Sequence, residues 1–194
     1  MSSESPKRPW PKESSELIGE HRILRVRRDH RVSPRTGASH PFVVLEIPDW
    51  VNVVALVPGG KVILIEQWRA GSDAVTLEIP GGTIDPGENP ARAARRELLE
   101  ETGYASDRWI SLGSIEPNPA IQTNRCYTFV ADAARRGGAA QQDAGEDITT
   151  REVPLGEIDE LLARGEITHA LVAVAFQKLE LWRRGLLAGE PSIL

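Results

Sequence analysis

Polar and apolar positions alternate through "EHRILRVRRDHRV" and again through "PFVVLEI", with "RTGASH" between them, a pattern that predicts strands joined by a turn as an N-terminal hairpin. Two β-branched runs follow, "VNVVALV" and "KVILIEQW", separated by Pro58-Gly59-Gly60 and expected to be buried strands. "AVTLEI" predicts a further strand, which delivers the chain to Gly81 and Gly82. The period then becomes helical. Ala91, Ala94 and Leu98 fall on one stripe, Asn89 suits an N-cap, Pro90 suits the first helical position and Gly103 suits a left-handed end. These signals predict a helix of about 14 residues. Beyond it, "WISLGSI" and "RCYTFVADA" predict strands, "RRGGAAQQDAGED" a flexible loop of small residues, and "ITTREVP" a last strand. "LGEIDELLARG" and "THALVAVAFQKLELWRRG" predict two amphipathic helices, with Leu171, Val174, Leu179 and Trp182 facing the core.

Mixed strands and helices in 194 residues, 40% of them hydrophobic, suit one sizeable core with an appendage. The expected division is a flexible arm at 1–16, the hairpin at 17–48 and the main domain at 49–194. No apolar run is long enough to span a bilayer, and "MSSESPKRPWPKESSE" lacks the apolar core of a signal peptide, so a soluble cytoplasmic protein with no membrane partner is expected. Cys126 is the single cysteine, which excludes an internal disulfide and a cysteine-based zinc cluster and leaves it as a small buried hydrophobe. His21, His30, His40 and His169 have no spacing that suggests a metal site or a nucleophilic triad. A net charge of -5 with no block of like charge argues against nucleic acid as a partner. An anionic substrate would need local arginines or metal ions to offset that charge.

The predicted helix carries Glu97, Glu100 and Glu101. At about 100° per residue, Glu97 and Glu101 lie about 40° apart and Glu100 about 60° to the other side, so the carboxylates share a face. Like charges so placed repel, and a solvated face relieved by the (i, i+4) pair Arg96 and Glu100 would be the simplest account. The flanking residues argue otherwise. Gly82, Glu88, Arg96, Glu97, Leu98, Glu100, Glu101 and Gly103 match the Nudix signature position by position, with Tyr104 an aromatic where an aliphatic is usual. Seven fixed identities make a chance match on the order of one in 10^8 per starting position. The chain resembles a Nudix hydrolase.

That resemblance implies an α/β (α+β) fold, the Nudix α/β/α sandwich with a mixed β-sheet, to which the N-terminal β-hairpin is an appendage. It implies Mg2+ dependence, with Mn2+ as a substitute, and Gly81 (through its carbonyl), Glu97, Glu100 and Glu101 as metal ligands. Hard cations want such oxygen ligands and bridge them to phosphates. Glu88 and Arg96 would orient the glutamates, while Gly82 and Gly87 would serve backbone geometry. "LEIPGGTIDPGE", "IEQWR" and "PNPA", with "GEDI" after them, resemble the ADP-ribose and nucleoside diphosphate sugar pyrophosphatase branch. By that likeness Arg69 contacts phosphate or ribose, Arg125 is a second phosphate candidate, and Glu146 in the loop deprotonates or orients the attacking water. Asp143, Asp147 or a box glutamate such as Glu100 are alternatives for that base. Trp50 and Trp68 are candidates to stack on a nucleobase or, as buried tryptophans, to pack in the core. A homodimer joined through the N-terminal hairpin is also implied. The implied reaction is hydrolysis of ADP-ribose or a related nucleotide sugar to a nucleoside monophosphate and a sugar phosphate. The alternatives are a Nudix hydrolase of dinucleoside polyphosphates or capped RNA ends, and a nucleotide sensor without catalysis.

Overall fold

In a computed structural model, which describes residues 8–142 and 145–191, the alternating N-terminal segments form an antiparallel sheet with one strand more than the pattern predicts. Its strands are β1 (Lys12–His21), β2 (Leu24–Val32) and β3 (Ser39–Glu46), in that order. "EHRILRVRRDHRV" is two strands, broken by a turn at Arg22 and Ile23. Residues 12–16, which the sequence pattern assigns to the arm, belong to β1. Polar "KESSE" has no apolar alternation to announce it, and its conformation comes from pairing with β2, where Ser15 faces Asp29.

Asp29 is fully buried in this sheet and accepts hydrogen bonds from Ser15 Oγ at 2.6 Å and Arg27 Nε at 2.9 Å. Arg31 adds a contact at 3.2 Å, and Arg27 also pairs with Glu46 on β3. The carboxylate thus pins β1 to β2. Residues Glu116–Asn124 return to the same unit, where Leu45 N donates to Ile121 O at 2.7 Å and Thr123 N to Leu45 O at 3.1 Å.

The larger unit comprises Asp49–Ile115 and Arg125–Leu194. Its first half holds β4 (Trp50–Val57), β5 (Lys61–Arg69), β6 (Ala74–Glu78), β7 (Gly81–Thr83), α1 (Pro90–Thr102), β8 (Tyr104–Ala105) and β9 (Arg108–Ile115). Its second half holds β10 (Cys126–Asp132), β11 (Arg135–Arg136), β12 (Ile148–Pro154), α2 (Ile158–Ala163), α3 (Ala170–Arg183) and β13 (Glu190–Pro191). The main sheet runs β12-β5-β4-β10-β9-β13, with β6 added to β5 and β7 to β4. It is mixed, because β10 runs parallel to β4. β4 and β5 are buried on both faces, as expected for central strands covered by helices.

Alternation along β4 sends Val51, Val53 and Ala55 to one face, where Ala93, Ala94 and Leu98 of α1 meet them. Val54, with Leu64 and Val130, packs on the other face against Ile158 and Leu161 of α2 and Val172, Phe176 and Leu179 of α3. The result is the expected α/β/α sandwich. One expectation holds only in part. The buried face of α3 is Val172, Ala175, Phe176 and Leu179, and Trp182 packs against it as expected, whereas Leu171 and Val174 are partly buried and lie outside that cluster. "ALVAVAF" is apolar all round, so periodicity alone could not set its rotation.

Candidate active site

α1 begins and ends where its caps dictate. Asn89 Oδ1 accepts from Ala91 N at 2.8 Å, and Gly103 closes the helix in the left-handed region with its N–H on Leu99 O. Ahead of it, β7 lies against β4 with Gly81 opposite Asn52 and Gly82 opposite Val51. Close approach to backbone requires Gly81, and Gly82 leaves room for a carboxylate. A Cβ on Gly81 would stand 2.2 Å from Val51 O, and one on Gly82 would stand 2.5 Å from Glu97 Oε1. Gly87 differs, having a φ of 80° in the turn before the helix.

The acidic face of α1 packs against this bare backbone. Glu101 is 2% exposed, and its Oε2 accepts from Gly81 N at 2.9 Å. Burial pushes its pKa up to about 9, the Gly81 N–H opposes the rise, and the charges of Glu97 and Glu146 add to it. Glu97 is also buried and raised by desolvation, against the pull of Arg96. Glu100 is the outermost carboxylate and shares Arg96 Nη1 with Glu97, at 3.2 Å and 2.8 Å. Arg96 also grips Glu88 through two bonds, Nε to Oε1 at 3.2 Å and Nη2 to Oε2 at 2.9 Å, and reaches Thr83 O. The hydrogen bond from Arg96 holds Glu88 below the usual carboxylate range. Glu88 and Arg96 therefore tie the β7 loop to the acidic face. Among the described residues, no three Asp, Glu, His or Cys side chains converge as they stand on a point where an ion would sit.

Arg69 stands at the end of β5, and its guanidinium makes two 2.9 Å hydrogen bonds with Glu78 on the neighbouring β6. Burial would raise Glu78, but bonds from Arg69 and Thr76 leave it lowered. Glu78 had no assigned part in the sequence reading, although it is the acid of "LEIPGG" and its spacing from Arg69 suits adjacent antiparallel strands. The Glu78 hydrogen bonds, with the charges of Glu78, Glu101 and Glu146, raise the pKa of Arg69 against its burial. Glu146 is half-buried and acts on Glu97, Glu101 and Arg69 alike. Asp147 is exposed, and Asp143 lies outside the described residues.

Other candidates stand apart from this group. Arg125 is exposed, with its backbone fixed by Asp49 Oδ1 at 2.7 Å and by Trp50 N at 2.8 Å. Trp50 is half-buried, and strand alternation places it with Asn52 and Val54 on the sheet face opposite α1. Trp68 is 56% exposed, which removes it from the core. Cys126 is buried, with its thiol pushed up to about 12 by burial, as suits an inert packing residue. Tyr104, the aromatic departure from the signature, donates from its hydroxyl to Glu152 Oε1 at 2.6 Å and lies under the Arg136 guanidinium at 4.7 Å. Its ring and hydroxyl have partners that an aliphatic residue would lack.

Comparison with known proteins agrees with this geometry. The NUDIX domain family model matches residues 48–173. The methanol dehydrogenase activator of Bacillus methanolicus is 28% identical over 86% of this chain and 90% of its own length. The ADP-ribose pyrophosphatase of Bacillus subtilis (strain 168) is 30% identical over 75% of this chain and 79% of its own. The ADP-sugar pyrophosphatase of Mus musculus is 32% identical over 66% of this chain and 62% of its own. Among solved structures, an ADP compounds hydrolase superposes with a TM-score of 0.83 at 22% identity, covering 94% of this chain and 98% of that one.

Proposed function

Because the chain belongs to the NUDIX family and is a pyrophosphatase within it, we propose that it hydrolyses the diphosphate of ADP-ribose or a related nucleoside diphosphate sugar, giving a nucleoside monophosphate and a sugar phosphate. The observation that carries this reading is the pair of buried carboxylates, Glu97 and Glu101, that α1 packs against the bare backbone of Gly82 and Gly81. The relatives that act on ADP-ribose and ADP-sugars point to the same substrate class.

The donor set fits a hard divalent ion, Mg2+ with Mn2+ as a substitute. Buried carboxylates that raise one another are relieved by a cation, and all the candidate ligands are oxygens. Glu97, Glu100 and Glu101, with the Gly81 carbonyl, would hold it. Two of these carboxylates, Glu97 and Glu100, are paired with Arg96 in the structure, so an ion held there would compete with that guanidinium. Such an ion lowers the pKa of bound water and neutralises charge gathering on phosphate oxygens. The chain's own residues do the rest. Arg69, preset by Glu78, offers its remaining donors to a phosphate or ribose oxygen. Glu146 takes one proton from the attacking water while the new phosphorus–oxygen bond forms and the bond to the bridging oxygen breaks. The bridging oxygen leaves with that electron pair on the departing phosphate. Arg125 is assigned to an outer phosphate of the substrate, whereas Trp50, on the sheet face opposite α1, takes no part in this assignment.

The test is an assay of ADP-ribose, a second nucleotide sugar and dATP with Mg2+, run beside Glu101→Gln. Nucleotide sugars turn over and dATP is poor. Glu101→Gln loses turnover by orders of magnitude, and it loses the rise in Tm that Mg2+ gives the unaltered protein. Fastest hydrolysis of dATP overturns the substrate class, and an undiminished Mg2+ shift in Glu101→Gln overturns the metal site. We also propose that the N-terminal unit joins two chains in a homodimer, because its sheet leaves Leu17, Ile18, Phe42 and Val43 exposed.

A further inference from the structure

We propose that Gln142 is a positioning residue that sets Glu146 against the acidic face of α1 by joining the two ends of its loop. The inference rests on the reading of Glu146 as the base. Gln142 Nε2 donates to Ile148 O at 2.7 Å, and Ile148 N donates to Gln142 Oε1 at 3.1 Å. A side-chain amide thereby does what a neighbouring backbone peptide does in a β-ladder, satisfying both polar groups of one residue.

The anchors on either side give this closure its consequence. Immediately before it, Gln141 N donates to Glu100 O at 2.8 Å, and Gly137 N to Gly103 O at 2.9 Å, so the incoming chain is tied to the C-terminal end of α1. Immediately after it, Ile148 opens β12 and pairs with Gln67 on β5, the strand that ends in Arg69. Glu146 is therefore carried between the helix of the acidic residues and the strand of the arginine. Gln142 links those two supports directly. "RRGGAAQQDAGED" is otherwise small and Gly-rich, so a loop cut loose from this tie has many conformations open to it. Asparagine lacks the reach, and glutamate accepts from Ile148 N–H while having nothing to donate to its carbonyl.

Gln142→Met keeps the length and removes both bonds. With ADP-ribose and Mg2+, its kcat falls roughly ten- to a hundredfold while KM stays within about twofold, the mark of a misplaced base with substrate binding intact. Gln142→Glu, which keeps one bond, falls between the two. Amide exchange at Ile148 speeds up in Gln142→Met, while Arg151 and Val153 in β12 stay protected, which separates loss of the tie from loss of the fold. In a Glu146→Gln background, adding Gln142→Met lowers kcat no further, because both changes act through one carboxylate. An undiminished kcat in Gln142→Met, or a full further loss in the double variant, overturns the positioning role alone. An undiminished kcat in Glu146→Gln overturns the base itself, and with it the purpose assigned to Gln142.

Discussion

At position 82 a single methyl group would meet the carboxylate of Glu97. It would stand 2.5 Å from Glu97 Oε1 and 2.8 Å from Oε2, and Arg96 already holds that Oε1 at 2.8 Å. Gly82→Ala must therefore push Glu97 out of place or shift β7 away from β4. We expect its turnover to fall roughly a hundredfold, because a displacement of about 1 Å at a reacting centre has that effect. Side-by-side kcat and Tm measurements check this: the kcat loss should far exceed the change in stability, and a Gly82→Ala protein of normal activity would show that Glu97 need not sit where it does. The glycine was legible as a spacing. Its reason was not, since the clash is with a side chain 15 positions away. Glu78 makes the same point, because "LEIPGG" marks an acid without saying that Arg69 is what it holds.

Among the elements, β1 depends on one carboxylate. Burial alone would raise Asp29, but the hydrogen bonds from Ser15 and Arg27, with the charges of Arg27 and Lys12, outweigh it and lower its pKa. A group lowered on folding contributes stability that is whole above its unfolded pKa, about 3.9, and is lost as pH falls through the folded value. The β1–β2 pairing should therefore hold from neutral pH down to about pH 4 and loosen below it. Amide signals of Gly19 and Val26, followed by NMR through an acid titration, report that loosening. Asp29→Asn should weaken the sheet at neutral pH by about 1–3 kcal/mol and flatten the acid response. An unchanged acid midpoint in Asp29→Asn would assign the effect to another carboxylate. α3 teaches the complementary lesson. Its existence was plain from its length and composition, but the choice of Val172, Ala175, Phe176 and Leu179 as its inner face was made by the sheet it lies on.

On the scale of the whole molecule, the N-terminal unit exposes Trp10, Leu17, Ile18, Ile23, Phe42 and Val43, side chains that a water-facing sheet has no reason to carry. The homodimer proposed above would cover part of that surface. Light scattering after size exclusion should report twice the chain mass at micromolar concentration. Leu17→Glu should shift it toward one chain, and a single-chain mass for the unaltered protein would overturn the dimer. Among the described residues, no helix is long and apolar enough to cross a membrane. The main sheet also shows which long-range choice organises the acidic face: β10 lies parallel to β4, and β7 folds back on the same strand, so the glycines are presented to α1 from the centre of the sheet.

Local physics was enough for α1. An Asn cap, a Pro at the first turn and a left-handed Gly act within a few residues of one another, and so do the carboxylates that share its face. The central strands were readable for a similar reason, as their runs of β-branched residues suit burial on both faces wherever they lie in the sheet. Pairing across the chain decided the remainder. β1 is polar and exists through β2, Arg69 meets Glu78 because β5 and β6 are neighbours, Arg96 bridges Glu88 to Glu97 and Glu100, and Gln142 reaches Ile148 across a loop. Each of these contacts joins groups whose separation is set by the sheet and the helix together. A pattern of hydrophobic and polar positions records which face a residue prefers, and only the folded chain selects its partner there.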